Sequence, residues 1–174
     1  MTNERVPFDL DAYVARATSG RCFVCEFVGG NPNYAHDTVA ETDSAIAFLN
    51  KYPTLFGYVI VAPKAHREQV TGDFDEIEYL ELQRFVYRVA EAMRRVLAPE
   101  RIYVLSIGSQ AANAHVHWHV APLPPGVPLE QQQYHALMHE GGVIDAPRAS
   151  VVDYVGKLRA EIAAAGNAAT DSAA

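Results

Sequence analysis

The chain has 174 residues, of which 49% are hydrophobic and 20% are charged, which predicts a globular protein of one domain or one domain with an appendage. Its 14 basic and 21 acidic side chains give a formal net charge of −7, which argues against nucleic acid or an anionic membrane as a partner. A small anionic ligand is not excluded, because backbone amides and a few local donors can hold a phosphate inside an acidic protein.

The N-terminal residues predict a short helix and no targeting signal. Charged side chains interrupt residues 1–16, so this stretch lacks the apolar segment of a secretory signal, and we expect a cytoplasmic protein. A helix is predicted for 8–19, where apolar side chains recur along one side. The Cys-x-x-Cys pair of Cys22 and Cys25 follows. In a reducing compartment this pair indicates half of a metal site or a redox pair rather than a structural disulfide.

The middle of the chain predicts a sheet and one long helix. Alternating or continuous apolar runs predict strands at 37–42, 44–49, 58–62, 102–107 and 115–120, of which 102–107 is expected to be buried. The longest aliphatic run is too short to span a bilayer, so we expect no membrane partner. An apolar stripe predicts the long helix at 74–97, with Asp73 as its N-cap and Glu76 as the partner in a capping box. The last two strands are expected to form a hairpin.

The C-terminal residues are predicted to form a separate appendage. Prolines exclude regular structure directly after Pro122, and two helices are predicted beyond it, at 129–138 and 151–165. Ser150 is the expected N-cap of the second helix, and Gly166 its end. The predicted organisation is a domain of residues 1–146, a helical appendage of 147–166 and a disordered tail of 167–174.

Three histidines at alternate positions are the most informative feature of the sequence. In an extended strand, successive side chains point to opposite faces, so His115, His117 and His119 should line one face while Val116 and Trp118 line the other. Each neutral imidazole needs a donor and an acceptor, and each titrates near physiological pH. This arrangement indicates chemistry rather than packing alone.

The cysteine pair is best explained as half of a zinc site. A structural zinc ion takes four ligands, of which Cys22 and Cys25 supply two. His66, just after the 58–62 strand, and His115 are the candidates for the other two, if the sheet brings them together. A reduced pair that binds nothing is an alternative. A thioredoxin-like role is less favoured, because a helix rather than a strand precedes the motif.

Three segments of the chain resemble the histidine triad (HIT) family of nucleotide hydrolases and transferases. The segment His115-Val116-His117-Trp118-His119-Val120-Ala121 resembles the family signature. The upstream segment from Asn50 through Gly57 to Pro63-Lys64-Ala65-His66 resembles the family's loop, strand and Pro-x-x-His element. The Cys-x-x-Cys pair resembles the zinc-bearing branch. The resemblance covers residues 20–122 and leaves the C-terminal residues unexplained.

The resemblance implies a HIT-like α+β fold, with an antiparallel sheet of about five strands, one long packed helix, and short N- and C-terminal helices. It also implies a two-fold homodimer. In zinc-bearing members the ligands are the two cysteines, the Pro-x-x-His histidine and the first histidine of the triad. Carried over to this chain, the implied zinc ligands are Cys22, Cys25, His66 and His115.

The resemblance further implies a catalytic role for the rest of the triad. The middle histidine, His117, would attack the α-phosphorus of a nucleotide to form a nucleotidyl-histidine that water or another acceptor resolves. His119 would donate to the phosphate oxygens, although it could instead only orient the strand. Asn50 would contact the ribose, or would simply begin the loop as a turn residue.

The chain departs from the family pattern at two places. Tyr58 stands where the family usually has a histidine. The loop of residues 108–113 is shorter than usual, and Ala112 replaces the hydroxyl residue. Ser109, Gln110 and Asn113 are the candidate substitute donors to the nucleotide phosphate, or ordinary polar loop residues. Two further interpretations concern packing: the Trp118 ring is expected on the far face of the sheet, and residues 131–140 either close over the leaving group or face a dimer partner.

The leading hypothesis is a hydrolase that cleaves the α-phosphate linkage of a dinucleoside polyphosphate or a nucleoside phosphoramidate. A nucleotidyltransferase or phosphorylase acting on diadenosine polyphosphates is the second. A non-catalytic nucleotide-binding or zinc scaffold protein is the third. A catalytic zinc hydrolase is a further alternative, but adjacent histidines on one strand face lie about 6.6–7 Å apart along the backbone, which disfavours three of them on one ion.

Overall fold

The computed structural model describes residues 4–171. No helix in this part of the chain combines the length and the apolar character needed to cross a membrane. The helices are α1 (Leu10–Ala17), α2 (Phe23–Val28), α3 (Glu76–Leu97), α4 (Tyr134–Leu137) and α5 (Arg148–Asp171). The strands are β1 (Glu4–Val6), β2 (Thr38–Glu41), β3 (Ala45–Leu49), β4 (Val59–Pro63), β5 (Arg101–Leu105), β6 (Trp118–Leu123) and β7 (Val143–Asp145). Short 3-10 helices lie at Pro32–Tyr34, Leu129–Gln131 and His139–Gly141.

Five of these strands form one antiparallel sheet in the order β2-β3-β4-β6-β5. The sheet and the long helix α3 confirm the predicted α+β fold, including the hairpin of β5 and β6. A second, two-stranded sheet pairs β1 with β7, so the N-terminus lies beside a segment that follows the main sheet by many residues. The sequence analysis did not predict this second sheet.

The two faces of the main sheet pack into two different cores. Trp118 and Val120 of β6 lie on the face covered by α3, in one cluster with Val89 and Leu158. Ala121 and Leu123 lie on the opposite face with Ile46, Ile60 and Val24 of α2. Trp118 is 4% exposed, and its ring meets those of Phe74 and Tyr79. The period of two therefore holds, and the indole packs on the face away from the histidines as predicted.

The N-terminus of α3 lies two residues later than the sequence analysis placed it. Asp75 is the N-cap, and it forms a reciprocal capping box with Glu78. Asp73, the predicted cap, instead accepts hydrogen bonds from the backbone N–H groups of Glu68 and Gln69 at 2.7 and 3.0 Å. Both aspartates satisfy free amides, but Asp73 does so in the preceding turn, so the prediction for that residue was wrong.

Strand positions near the histidines also differ from the prediction. β6 begins only at Trp118, so His115 and His117 lie in the irregular approach to the strand. The 102–107 strand is not buried, because β5 is an edge strand on which Val104 is 47% exposed. The apolar composition of this strand does not show whether another strand pairs with each of its edges. Only the order of strands in the sheet decides that.

The C-terminal helices correct three predictions. The predicted helix at 129–138 is broken into a 3-10 turn and the short α4, with Gln133 at φ 56° between them. α5 begins at Arg148, so Ser150 is not its cap, and it continues past Gly166 to Asp171. Tyr154 and Leu158 of α5 belong to the same core as α3. The division at residues 146 and 147 stays a prediction, and the last part of the predicted tail, 172–174, lies outside the described residues.

Gly57 fixes the entry to the central strand β4. Its φ is 84°, and a Cβ there would lie 2.8 Å from a side-chain carbon of Leu97 and 2.9 Å from the ring of Tyr154. The Tyr154 hydroxyl donates to the Gly57 carbonyl oxygen at 3.0 Å. Only glycine tolerates both the left-handed backbone and this close approach. α5 therefore holds the strand that carries the candidate site.

Candidate active site and metal centre

Four side chains from three distant segments converge beside the sheet. Sγ of Cys22 lies 3.3 Å from Nδ1 of His115, and Sγ of Cys25 lies 3.3 Å from Nδ1 of His66 and 3.5 Å from Nδ1 of His115. All four ligand atoms lie within 4.8 Å of one another. The edges of a tetrahedral zinc site with these donors are about 3.4–3.8 Å, so the donors fit a zinc ion closely.

The surroundings of this cluster fit the same ion. Nε2 of His66 contacts a Glu68 carboxylate oxygen at 3.0 Å, and Nε2 of His115 donates to the Pro63 carbonyl oxygen at 2.9 Å. Each ring therefore turns Nδ1 inward and has an outer partner for Nε2, as is usual for metal-bound histidines. Cys22 caps α2, and its Sγ accepts the N–H of Cys25 at 3.4 Å. The two cysteines thus lie at the N-terminus of α2, where they would bind the ion. The ion would have a structural role.

Burial favours the neutral forms of two of these four side chains, Cys25 and His115. Desolvation raises the pKa of Cys25 to about 11, with a further contribution from the hydrogen bond to Cys22. Desolvation also lowers the pKa of His115 to about 4. A divalent cation at the centre would favour the thiolates and leave the imidazoles neutral, which are the forms that bind zinc.

His117 is held in one tautomer and one orientation. Its Nδ1 donates to the His115 carbonyl oxygen at 2.7 Å, which leaves Nε2 with no hydrogen-bond partner among the described residues. Its own carbonyl oxygen accepts from the Ser106 hydroxyl at 2.8 Å. Burial lowers its pKa, so the imidazole is neutral at pH 7. His115 therefore joins the two sites: its ring faces the metal centre and its carbonyl oxygen positions His117.

His119 lies next to His117 on the same face of the sheet. The two ring centroids are 4.8 Å apart, and Tyr58 packs edge-on against His119 at 5.7 Å. Nδ1 of His119 is buried and has no hydrogen-bond partner within residues 4–171. Burial, followed by the charges of His117 and His139, lowers the pKa of His119 to about 3. Tyr58 occupies the expected histidine position and contributes a ring contact to the triad.

A cleft opens over these two histidines. It encloses about 780 Å³, including the part that is open to solvent. Aromatic and apolar side chains form most of its wall. The residues that line it are Tyr13, Arg16, Ala17, Arg21, Phe23, Tyr34, His36, Phe48, Asn50, Lys51, Tyr52, Ile60, Asn113, His117, His119 and His139.

The charged groups of the cleft are cationic, although the chain as a whole is acidic. Arg16, Arg21 and Lys51 line the cleft, and none of its described lining residues carries a carboxylate. The Arg16 guanidinium lies 4.5 Å from the centre of the Tyr34 ring and donates to the Asn33 carbonyl oxygen. Burial, followed by the charge of Arg16, lowers the pKa of Lys51. Clustered cations with low-dielectric walls attract an anionic ligand.

The structure separates the predicted nucleotide-binding residues into two groups. Asn50 and Asn113 line the cleft with His117 and His119, whereas Ser109 and Gln110 are exposed and lie outside its lining. Oδ1 of Asn50 accepts the N–H of Tyr52 at 2.9 Å, so this side chain also shapes the turn. Asn113 adopts a positive φ of 55° and donates through Nδ2 to the Tyr13 hydroxyl at 2.7 Å.

Most of the cleft wall was not found from the sequence. Tyr13, Arg16 and His139 come from segments that carry no motif, and Tyr52 lies in the upstream segment but was not singled out there. Only the expectation that residues 131–140 close over the leaving group or face a dimer partner included one of them, His139. No local pattern could have identified the others, because the tertiary fold alone brings them together.

Comparison with known proteins agrees with this geometry. The HIT domain matches residues 31–125. An adenosine 5'-monophosphoramidase from Schizosaccharomyces pombe is 29% identical over 132 residues, which are 68% of this chain and 94% of the relative. An uncharacterised HIT-like protein from Mycoplasma genitalium is 30% identical over 111 residues, which are 60% of this chain and 74% of the relative.

Solved structures show the same fold. A zinc-bound histidine triad family protein from Mycobacterium smegmatis superposes with a TM-score of 0.65 at 22% identity, covering 84% of this chain and 96% of that one. A hypothetical histidine triad nucleotide-binding protein from Sulfolobus tokodaii superposes with a TM-score of 0.63 at 22% identity, covering 81% and 91%. With a triad in a cleft, a four-ligand metal centre and a domain match over more than half of its length, the chain belongs to the HIT domain family.

Proposed function

We propose that the protein is a nucleotide hydrolase that cleaves the α-phosphate linkage of a dinucleoside polyphosphate or a nucleoside phosphoramidate through a nucleotidyl-histidine. The observation that carries the proposal is the state of His117, which is neutral, fixed through Nδ1 and free at Nε2 in a cationic cleft. The adenosine 5'-monophosphoramidase activity named for the Schizosaccharomyces pombe relative supports the same reaction class.

In the first step, Nε2 of His117 attacks the α-phosphorus, and the bond from phosphorus to the leaving group breaks as the new P–N bond forms. The leaving group departs with the electron pair, and an amine takes up one proton. The His115 carbonyl oxygen accepts the Nδ1 proton at 2.7 Å and so stabilises the positive charge that develops on the imidazole. No proton has to leave His117 for the attack.

In the second step, water attacks the same phosphorus, the P–N bond to His117 breaks, and the nucleoside monophosphate leaves. The water releases one proton, and neutral His117 is regenerated. The neutral His119 and the side chain of Asn113 line the cleft and would donate hydrogen bonds to the phosphate oxygens. The zinc ion would cross-link α2 to the base of the triad and take no part in the bond changes.

The test is turnover of diadenosine tetraphosphate and adenosine 5'-phosphoramidate by the wild type and by His117→Ala, with and without inorganic phosphate. His135→Ala is the matched control, because His135 is an exposed histidine outside the cleft lining. We expect AMP from the wild type and the control, an adenylylated protein by intact mass, and loss of both in His117→Ala. ADP formed only with phosphate would indicate a phosphorylase, and nucleotide binding without turnover would indicate a binding protein.

We also propose that the protein forms a homodimer through the free edge of the sheet. β5 is an edge strand whose outer N–H and C=O groups have no strand partner among the described residues. Val104 on β5 is 47% exposed, and Ile77, Leu80 and Tyr87 on α3 are 71%, 53% and 64% exposed. An unprotected strand edge and exposed apolar side chains are each typical of an interface.

The oligomeric state tests this second proposal. We expect light scattering to give a mass near twice that of the chain, and Val104→Lys to shift the protein toward the monomer. Val152→Lys is the matched control, because Val152 is a similarly exposed valine on α5. A monomeric wild type, or equal effects of the two substitutions, would overturn the proposal.

A further inference from the structure

Two separate groups of aromatic rings border the reacting histidines. The first aromatic cluster is Phe23, Phe27, His36 and Phe48, in which neighbouring ring centroids lie 4.8–6.5 Å apart. The second aromatic cluster is Phe8, Tyr13, Tyr52 and His139, in which neighbouring centroids lie 4.3–6.3 Å apart. No ring contact joins the two clusters within the described part of the chain.

Both clusters reach the reaction centre. In the first cluster, the Phe23 ring stands perpendicular to that of His117 at 5.4 Å. In the second, the Tyr13 hydroxyl accepts from Asn113, whose loop packs on His117: a Cβ on Gly108 would lie 2.9 Å from the Asn113 carbonyl oxygen and 3.7 Å from a His117 ring carbon. Both clusters therefore border the histidine that would attack phosphorus, the first by direct ring contact and the second through Asn113.

The second cluster is built largely from residues outside the matched HIT domain. Phe8 and Tyr13 precede residue 31 and His139 follows residue 125, so only Tyr52 belongs to the matched segment. The pairing of β1 with β7 brings the two outer segments together, and Arg5 donates to the Gly142 carbonyl oxygen at 2.9 Å. Phe8 then stacks on His139 with ring planes 21° apart and supports it from behind.

The exposed faces of this cluster suit a flat ring. Tyr13, Tyr52 and His139 line the cleft, whereas Phe8 does not. Arg16, one helical turn from Tyr13, lies in the same wall and provides positive charge beside the rings. Burial lowers the pKa of His139, so its ring is neutral and offers stacking rather than charge. Aromatic side chains bind planar rings in offset-stacked or edge-to-face geometry, and this stacking tolerates different rings and substituents.

We infer that the second aromatic cluster is the subsite for a planar aromatic leaving group, so that the substrate carries a flat ring in the group that departs from the α-phosphate. This inference rests on the proposed hydrolase function and makes its substrate class specific. The ring could be the second base of a dinucleoside polyphosphate or the aromatic group of an amine in a phosphoramidate. Both present the same stacking chemistry, and Tyr13 and His139 determine the preference for it.

The experiment compares substrates whose leaving groups contain or lack an aromatic ring. The first pair is the adenosine 5'-phosphoramidates of tryptamine and propylamine, and the second is diadenosine tetraphosphate and adenosine 5'-tetraphosphate. The measured quantity is the ratio of kcat/KM within each pair. We expect the wild type to favour the aromatic member by about tenfold or more, as one stacked ring provides. The pair with the larger ratio identifies the source of the ring.

Variants then assign the preference to the cluster. Tyr13→Leu and His139→Leu should each lower the ratio by about fivefold or more, and Tyr13→Phe should restore it because it returns the ring. Tyr134→Leu and His135→Leu are matched controls on exposed positions and should leave the ratio as in the wild type. A wild-type ratio near one, or a ratio unchanged in both Leu variants, would overturn the inference while the hydrolase function stands. No turnover of any substrate would overturn the hydrolase function itself.

Discussion

The environment of His119 predicts that the protein loses stability as the pH falls. Its pKa is about 3 in the folded protein, against 6.5 for the free side chain. Burial is the main cause, and the groups that face it offer no compensating anion: His117 and His139 can only add positive charge, and burial raises the pKa of Tyr58, which keeps it neutral. Between these two pKa values, the unfolded chain binds a proton that the folded protein excludes.

The sign and size of the effect follow from this difference. The folded pKa is depressed, so stability is fully present above pH 6.5 and falls as the pH drops toward 3. At pH 5 the unfolded pKa of 6.5 lies 1.5 units above the pH. Each unit corresponds to about 1.36 kcal/mol, so His119 alone should lower the free energy of unfolding by about 2 kcal/mol between pH 7 and pH 5.

The perturbation is His119→Gln, which keeps a polar side chain but cannot titrate. Urea unfolding of both proteins at pH 7 and pH 5, each with excess zinc, gives the drop in free energy for each protein. The remaining histidines titrate in both proteins, so the difference between the two drops isolates His119. We expect the drop to be about 2 kcal/mol smaller in His119→Gln. Equal drops in both proteins would refute the reasoning.

Three further predictions concern the metal centre and the core. We expect one zinc ion per chain by elemental analysis, and loss of that zinc in Cys25→Ser, whereas full zinc content in this variant would contradict the four-ligand site. Leu158→Ala should lower the free energy of unfolding by about 2–5 kcal/mol, and the 74% exposed control Leu129→Ala by less than about 0.5 kcal/mol; similar values would place α5 outside the core. Tyr154→Phe should cost about 1 kcal/mol in a urea titration, because it leaves the Gly57 carbonyl oxygen without its donor, and an unchanged value would show that this bond adds no stability.

The positions of the candidate site residues were predictable because local patterns encode them. Alternation along the chain put His117 and His119 on one face of the sheet, and the structure keeps them 4.8 Å apart there. The ligand requirement of zinc selected Cys22, Cys25, His66 and His115, which the structure brings within 4.8 Å. The error in the strand boundary did not affect this prediction. β6 begins three residues after His115, yet the predicted side chains still lie together.

The errors share a physical origin in packing partners that a local pattern does not show. The apolar composition of residues 102–107 predicts burial, but β5 lies at the edge of the sheet. Gly166 is a residue type that often ends a helix, yet α5 continues to Asp171. α5 packs against α3 and β2. Asp73 and Asp75 are both plausible caps, and the turn at Glu68 decides which of them caps α3.

By itself the sequence determined the family, the metal ligands and the histidine that we propose as the nucleophile, because each depends on residue type and on short spacings that the backbone geometry fixes. Only the tertiary structure decided what surrounds His117. The pairing of β1 with β7 places Phe8 against His139, and the turn after β3 brings Tyr52 to Tyr13. Such a wall has no periodicity along the chain, because its members meet only through burial and long-range strand pairing.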